Sequence, residues 1–375
     1  MKSKQSVYRG CLLGLAAGDA LGLAADGKTY DRICRDYGQD GLRGYDLFNG
    51  CADISSHTQI AAFAANGLLV GGTRGQIRGH MAPFVQYIGM ALKEWNQVQN
   101  TRRAPARPLC WVSRVPEFRT RRCMDNPMRD MLSRPVLGTP EEPVSRASGA
   151  GSLCAVIPVG LFFHPDRMNV RELGRLGAET VALTHGDPSA FLAGSALSYI
   201  ITGIIQEPEL PLEKQFTQAG RAVEALFGKQ YPQASQLCRS LIQTVRSAKD
   251  STVPVHEALD AIGCESCAQV LCGAVYAVLA GKESFDSSLI AAVNHSGRSA
   301  AVGAVTGAIL GAVCGEENLP DFYLDGLVAA DPLRVLADDL AQNCPMERSS
   351  RLFDDEWDRK YNQGEPVFHS QWDEI

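Results

Sequence analysis

The amino-acid sequence predicts an all-α protein, folded as a single large orthogonal helix bundle. Apolar residues recur with the period of a helix along most of the chain, whereas alternating, strand-like patterns are few and short. Two of the helical segments also carry a glycine at every fourth position. The 375 residues, 45% apolar and 21% charged, have the composition of a globular chain that buries a sizeable core.

The predicted helices follow one another with short connections. In chain order they span 7–22, 57–71, 80–96, 171–183, 188–206, 212–226, 232–248, 256–280, 286–293, 299–314 and 331–342. The apolar run 153–163 is the most strand-like stretch, although its pattern fits a buried helix equally well. No shift in composition marks a linker, so we predict one domain over 1–345. The polar tail, 346–375, is expected to pack on it through its aromatic residues Trp357, Tyr361, Phe368 and Trp372.

The glycines of two predicted helices lie on one face of each helix, because a spacing of four residues returns to the same side. A glycine inside a helix costs about 0.5–1 kcal/mol relative to alanine, so four in register need a structural reason. Close packing of the two glycine faces against each other is that reason. The two sets are Gly10, Gly14, Gly18 and Gly22, and Gly303, Gly307, Gly311 and Gly315.

Charge, apolar runs and cysteines exclude several classes of protein. A net charge of −6 lacks the basic footprint of a nucleic-acid-binding protein. The runs 1–17 and 299–315 resemble a short signal peptide and a membrane span, but Asp19 closely follows the first and the second is shorter than about 20 residues. We predict that both are buried helices and that no membrane is involved. The 12 cysteines fit reduced thiols of a cytoplasmic protein, and Cys264 and Cys267 are interpreted as two residues of one helix rather than a zinc or redox motif.

Residues 101–146 differ from the rest of the chain, because they contain ten arginines and seven prolines. Proline prevents long helices there. The simpler interpretation is a solvated, irregular connection over the surface. The alternative is a basic lid that meets an anionic ligand, such as a pyrophosphate or an acidic protein.

Two short segments in the N-terminal part place polar residues at helix ends. The first, 18–26, ends the first glycine-bearing helix and carries Asp26 just beyond it. The second, 53–59, precedes an alanine-rich helix, and Ser56 and Gln59 have the spacing of a capping box. That interpretation accounts for both residues without any function.

Two further segments open helices later in the chain. In 294–299, Ser296 is placed to cap the second glycine-bearing helix, and Arg298 lies in its first turn. A cation there faces the positive end of the helix dipole, so it needs an acidic partner, a bound anion or solvent. In 184–188, Asp187 and Pro188 are typical of a helix start, and His185 is either a structural histidine or a catalytic one.

Five motifs, taken in order, resemble those of the ADP-ribosylglycohydrolase family, which includes the dinitrogenase-reductase-activating glycohydrolases. The family pattern G-x-x-x-G-D-A-L-G-x-x-x-E corresponds to 14–26, and [T/S]-D-D-T-Q corresponds to 55–59. A G-x-G segment followed by an apolar run corresponds to 149–158, and T-H-x-x-P to 184–188. The motif N-H-S-G-D-[S/T]-D-[S/T] corresponds to 294–301, so the resemblance extends over about 7–345.

The resemblance implies an all-α fold with a two-magnesium cleft, and hydrolysis of the bond between ADP-ribose and a protein side chain, typically arginine or serine. In the family the metal ligands come from the T-D-D and D-x-D-[S/T] motifs. Here the corresponding residues are changed to Ser56, His57, Arg298, Ala300 and Ala301, and the first motif ends in Asp26 rather than glutamate. Magnesium requires about six oxygen ligands, usually including carboxylates, whereas histidine prefers zinc, copper or nickel. We therefore predict a divergent member with no metal ligand, no magnesium pair and no other cofactor.

The leading hypothesis is a degenerate family member, a pseudoenzyme, that binds an ADP-ribose-like small molecule or an ADP-ribosylated protein. Arg298 would stand near the position of a metal and pair with Asp26 or with the anion. The predicted ligand-binding residues are Asp26, Ser55, Ser56, His57, Gly149, Gly151, His185, His295, Ser296, Gly297, Arg298 and Ser299.

Two alternatives remain open from the sequence. The first is an active hydrolase in which Asp26 and His57 form a metal-independent acid–base pair. The second is a purely structural or partner-binding scaffold whose former cleft is filled by Arg298 and His57 side chains. An open pocket lined by Asp26, His57, His185 and Arg298 favours ligand binding, and a collapsed pocket favours the scaffold.

Overall fold

A computed structural model describes residues 2–123, 126–249, 252–346 and 353–365. Within these ranges the regular secondary structure is helical, which confirms the predicted all-α class. Three 3-10 helices span Trp111–Arg114, Ala150–Val156 and Glu316–Asn318. The α-helices are α1 (Lys4–Leu23), α2 (Tyr30–Tyr37), α3 (Ser56–Arg78), α4 (Phe84–Thr101), α5 (Pro116–Arg119), α6 (Asn126–Leu132), α7 (Ile157–Phe162), α8 (Val170–Ala182), α9 (Pro188–Gln206), α10 (Leu212–Phe227), α11 (Gln233–Ser247), α12 (Val255–Ile262), α13 (Cys267–Ala280), α14 (Phe285–Val293), α15 (Ser299–Cys314), α16 (Asp321–Leu324), α17 (Ala330–Gln342) and α18 (Asp355–Tyr361).

The centre of the bundle is the antiparallel pair α1 and α15, whose glycine faces meet. A β-carbon built on Gly14 would collide with the carbonyl oxygen of Gly307, and one built on Gly307 would collide with that of Gly14. At the other end of the same register, Gly22 packs on the carbonyl of Ser299. The predicted packing is therefore confirmed. The register also places the C-terminal end of α1 beside the N-terminal end of α15.

The prediction of one helix over 256–280 is wrong, because the chain forms α12 and α13 there. Gly263 and Cys264 between them have φ angles of 96° and 45°, and such left-handed residues end a helix. Ser266 then starts α13 with a capping box that includes Gln269. Cys264 thus lies in the loop, so the interpretation of Cys264 and Cys267 as two residues of one helix is also wrong.

Apolar stretches that a strand or a membrane would also explain are core helices. The run 153–163 begins in the 3-10 helix Ala150–Val156 and continues as α7, so it is not a strand. One described helix, α9, is long and apolar enough to cross a membrane, but 72% of its apolar window is buried inside the bundle. Burial of this kind is typical of the core helix of a globular protein.

The Arg/Pro-rich segment 101–146 is anchored to the bundle rather than simply solvated. Its side chains Trp111, Phe118 and Met128 are almost fully buried. The Glu94 carboxylate on α4 accepts hydrogen bonds from the backbone N–H of Leu109 at 2.6 Å and of Cys110 at 3.1 Å. The interpretation as a solvated surface connection is therefore wrong for these parts of the segment.

Within the tail, α18 lies against α3 and α17. The Trp357 indole donates a hydrogen bond to Thr73 Oγ1 at 2.8 Å. The Lys360 ammonium lies 2.7 Å from the Asp339 carboxylate, and both side chains are buried. Phe368 and Trp372, the other two predicted docking residues, lie outside the described residues.

Candidate functional site

A cleft of about 850 Å³ opens where the C-terminal end of α1 meets the N-terminal end of α15. The N-terminal ends of α3, of α13 and of the 3-10 helix Ala150–Val156 contribute to the same cleft. Since a sequence motif supplies each of these helix ends except that of α13, the fold brings together motifs that lie far apart in the chain. The predicted ligand-binding residues that line the cleft are Asp26, Ser55, Ser56, His57, Gly149, Gly151 and Arg298.

The remaining predicted residues do not line this cleft. His185 is fully buried, with Nδ1 2.8 Å from the hydroxyl of Thr184. His295 is also fully buried, and that burial lowers its pKa. Ser299 is buried at the start of α15, and Gly297 occupies a turn with a φ of 142°. These residues belong to the framework behind the cleft.

Ser296 joins loops instead of capping α15. Its hydroxyl accepts a hydrogen bond from the Tyr30 backbone N–H at 3.0 Å and donates one to Asp260 at 3.1 Å. The N-cap position of α15 is Arg298, which makes no side-chain capping bond. The prediction of Ser296 as the cap is therefore wrong, and Arg298 sits at the cap rather than in the first turn.

The N-terminal end of α3 is fixed by Asp19, a buried carboxylate of α1 that the site prediction did not include. Asp19 accepts hydrogen bonds from the backbone N–H groups of Ser55 and Thr58 at 2.9 and 3.2 Å, and from both hydroxyls at 2.5 Å. A carboxylate at this end of a helix also complements the helix dipole. The position of Asp19 inside an apolar helix face is the sequence signal that could have identified it.

The capping box predicted for Ser56 and Gln59 is wrong. Ser55 is the N-cap of α3, and its hydroxyl accepts a hydrogen bond from the His57 N–H at 3.1 Å. The Gln59 amide oxygen instead accepts a hydrogen bond from the Trp95 indole at 3.0 Å. The amide nitrogen donates to backbone carbonyls of the Arg/Pro-rich segment 101–146, hereafter the basic segment. Ser56 is thereby left to face the cleft beside His57.

Asp26 and Arg298 face each other on one side of the cleft. Arg298 Nη1 lies 3.7 Å from Asp26 Oδ2, and Arg298 Nε donates to Glu265 Oε2 at 3.2 Å. Asp26 also accepts the Ala300 N–H at 3.2 Å, so it caps α15 from the end of α1. Burial raises the pKa of the Asp26 carboxyl, while His57, the Ala300 N–H and Arg298 oppose that rise. Because the Arg298 side chain is 50% exposed, its guanidinium remains accessible from the cleft.

The imidazole ring of His57 has one nitrogen without a hydrogen-bond partner among the described residues. This atom, Nδ1, is buried. The ring lies close enough to Asp26 to act on the pKa of that carboxyl. The two side chains that the sequence suggested as an acid–base pair therefore lie near each other, without a direct hydrogen bond between them among the described residues.

Another part of the cleft lining was not predicted residue by residue. It comes from the basic segment, including Arg121 and Arg122, which we call the arginine wall, and from residues near the starts of the 3-10 helix Ala150–Val156 and of α13. The density of arginine in 101–146 was the available signal, but it did not indicate which arginine would reach the cleft. The unpredicted lining residues are Arg121, Arg122, Cys123, Asn126, Pro127, Ser148, Glu265, Ser266 and Gln269.

The residues that line the cleft do not fit a pair of Mg²⁺ ions. The lining carboxylates are Asp26 and Glu265, and Arg298 pairs with both, while Ser55 and Ser56 contribute only hydroxyl oxygens. Among the described residues, no three His, Cys, Asp or Glu side chains form a group that could hold a metal ion. Two hard divalent cations need several carboxylates to offset their charge, and a neighbouring guanidinium opposes them.

A second groove, of about 760 Å³, adjoins the cleft. The two share the lining residues Ser148, Ser266 and Gln269. Helix α11 contributes hydroxyl and amide side chains to the rest of the groove, alongside apolar residues such as Leu237 and Ile262, and Arg239 is its one cationic lining residue among the described residues.

The cleft lies at converging helix ends of an all-α bundle, and four of the five sequence motifs, 14–26, 55–59, 149–158 and 294–301, contribute residues to its lining. The family model described as ADP-ribosylglycohydrolase matches residues 1–350, and the chain belongs to that family. An uncharacterized protein of Archaeoglobus fulgidus is 27% identical over 340 residues, which cover 88% of this chain and 94% of that protein.

A solved structure described as an ADP-ribosylglycohydrolase-related protein complex has a similar fold. Its TM-score to this chain is 0.59, and the likeness covers 92% of this chain and 99% of that one. The two sequences are 20% identical, so this likeness supports the fold alone. The fold expected from the sequence motifs is thereby confirmed.

Proposed function

We propose that this protein is a pseudoenzyme of its family, which binds an ADP-ribose-like anion, free or attached to a protein, without a magnesium pair. The observation that carries the proposal is the position of Arg298, which lines the cleft against Asp26, together with the exposed Arg121 in the lining of the same cleft. A pyrophosphate is the part of ADP-ribose that such guanidinium groups recognise, because they donate paired hydrogen bonds to its oxygens.

The N-terminal ends of α3 and α15 both reach the cleft, but the carboxylates of Asp19 and Asp26 already accept hydrogen bonds from them. Recognition of an anion is therefore assigned to the arginine side chains rather than to the helix dipoles. The cleft is open, with a volume typical of a small-molecule site, and this argues against a scaffold whose cleft is filled. The adjoining groove gives room for a ligand longer than a single nucleotide. All described cysteines are free thiols, in keeping with the proposed cytoplasmic location.

We expect Arg298→Ala to weaken binding of ADP-ribose about tenfold. A charge-assisted hydrogen bond is worth about 1.5–3 kcal/mol, and the lower end applies to this half-exposed side chain. Isothermal titration with ADP-ribose in the presence of EDTA measures the change. Equal affinities of wild type and variant would remove Arg298 from the proposal.

Two further variants accompany this titration, the first as a control and the second as a test in the opposite direction. Arg32→Ala removes an exposed arginine that pairs with Asp36 outside the cleft, and it should leave the affinity unchanged. Asp26→Asn removes the carboxylate that competes with the anion for Arg298, so it should tighten binding a few-fold. Because protonation of Asp26 has the same effect, affinity in the wild type should rise as the pH falls through the raised pKa of Asp26.

A second candidate, a metal-independent hydrolase, is favoured by the proximity of His57 to Asp26 and by the raised pKa of Asp26. A carboxyl with a raised pKa can donate a proton to a leaving group, as one of the two carboxyls does in many glycosidases while the other stays ionised. In this candidate His57 would take the place of the ionised group as the base. We expect no turnover of ADP-ribosyl-arginine or ADP-ribosyl-serine peptides, with Mg²⁺ or with EDTA. Turnover in EDTA that Asp26→Asn abolishes would establish the hydrolase instead.

A further inference from the structure

The stretch of the basic segment before the cleft is held by two buried glutamine side chains. The Gln59 amide donates hydrogen bonds to the carbonyl oxygens of Glu117 at 3.3 Å and Thr120 at 2.9 Å. The Gln99 amide accepts the Arg122 N–H at 2.8 Å. The backbone on either side of residue 121 is therefore fixed to α3 and α4, and only the side chains after residue 120 reach the cleft.

Arg122 ties this stretch to the loop that leads into α3. Its guanidinium donates two hydrogen bonds to the Asp53 carboxylate, one from each terminal nitrogen. The Arg122 side chain is 14% exposed, so most of its surface is already covered. Asp53 comes two residues before Ser55, the N-cap of α3. One ion pair thus connects the arginine wall with the end of α3 that carries Ser56 and His57.

Arg121 and Arg122 consequently differ in whether they can bind a ligand. Both terminal nitrogens of Arg122 donate to Asp53, and this bidentate pair leaves few N–H donors of Arg122 for a ligand. Arg121 lies exposed on the cleft wall, and no ion pair links it to the described residues. Gln59 and Gln99 hold the backbone beside Arg121, and the bond to Asp53 additionally holds the side chain of the next residue, Arg122, so Arg121 is positioned by both.

We propose that the Asp53–Arg122 pair is a latch that positions Arg121, and that Arg121 selects the ligand by its negative charge. The inference rests on the proposed function, because it names a second cleft-lining arginine, besides Arg298, that would meet the anion. Arg122 is a positioning residue and Arg121 is the specificity-determining one.

A double-mutant cycle tests the latch by titration with ADP-ribose at low and at raised salt concentration. Arg121→Gln should weaken binding about tenfold and reduce the dependence of affinity on salt. Asp53→Asn should weaken binding by less than Arg121→Gln does, because Gln59 and Gln99 still hold the backbone. The double variant should be no weaker than Arg121→Gln alone, because Asp53 acts on the ligand only through Arg121. Additive losses, or an unchanged affinity of Asp53→Asn, would overturn the latch.

Two further variants separate positioning from general damage to the fold. Arg122→Lys keeps the charge next to Asp53 and should recover part of the affinity that Arg122→Gln loses. Arg103→Gln removes an exposed arginine of the same segment away from the cleft, and it should bind as the wild type does. If the lysine variant binds no better than the glutamine variant, Arg122 is not held by charge pairing and the proposal fails.

A readout without ligand distinguishes failure of the latch from failure of the proposed function. Trypsin cleaves after arginine, and a freed wall should expose the bonds after Arg121 and Arg122. We expect faster cleavage at 121–123 in Asp53→Asn than in the wild type at equal thermal stability. Equal cleavage rates would overturn the latch, whereas faster cleavage together with a wild type that does not bind ADP-ribose would overturn the ligand assignment alone.

Discussion

Gly307→Ala should destabilise the protein by about 3 kcal/mol or more, at the upper end of what overpacking costs. The new methyl group would collide with the carbonyl oxygen of Gly14 on the facing helix, and a backbone atom cannot rotate away as a side chain can. Helices α1 and α15 would have to separate along their whole length, because the same register of close contacts continues from Gly10 to Gly22. The gain in helix propensity, about 1 kcal/mol, does not offset that loss.

Chemical denaturation of Gly307→Ala and of a control measures this effect. Gly44→Ala is a suitable control, since a β-carbon there would meet no atom within 4 Å and the residue does not need a left-handed conformation. The control should change the free energy of unfolding by less than about 1 kcal/mol. A Gly307→Ala protein as stable as the control would show that the helices can move apart at little cost.

This helix pair was predictable because its signal lies within each helix. Four glycines at a spacing of four residues define a face without any knowledge of the partner, and two such faces in one chain leave a short list of partners. The break between α12 and α13 was not predictable in the same way. Nothing in the apolar pattern marks Cys264. This residue has a left-handed conformation in the loop between the two helices, where its carbonyl oxygen accepts a hydrogen bond from the Arg298 N–H.

In the candidate site, too, residues whose signal is local in the sequence were predictable, and residues placed by distant contacts were not. Asp26, Ser55, Ser56, His57 and Arg298 were predictable, because each lies at a helix end within a motif. His295 and Ser296 belong to the same motif, but their positions depend on loop contacts such as the bond from Ser296 to Asp260. The arginine wall depends on side chains of α3 and α4 that are distant in sequence, so the composition of 101–146 indicated a basic surface without placing it.

Asp19→Ala should cost about 3–5 kcal/mol of unfolding free energy and abolish binding of ADP-ribose. The variant leaves the buried backbone N–H groups of Ser55 and Thr58 without an acceptor, and each unsatisfied group costs about 1–3 kcal/mol. Binding is lost because the same bonds orient the end of α3 that carries Ser56 and His57 at the cleft. Denaturant unfolding and isothermal titration, performed on the same preparation, measure the two effects.

Asp187→Ala provides the matched comparison, because the Asp187 carboxylate, like that of Asp19, accepts hydrogen bonds at the start of a helix. It accepts the Ser189 N–H at 2.8 Å at the start of α9, outside the cleft, and loss of an ordinary N-cap costs about 0.5–2 kcal/mol. Asp19→Asn should fall between the two alanine variants, since an amide oxygen can keep the bonds that converge on Oδ2 but cannot accept at both ends. If Asp19→Ala lost no more stability than Asp187→Ala and still bound ADP-ribose, the end of α3 would be held by its own cap. The buried carboxylate would then be unnecessary for the site.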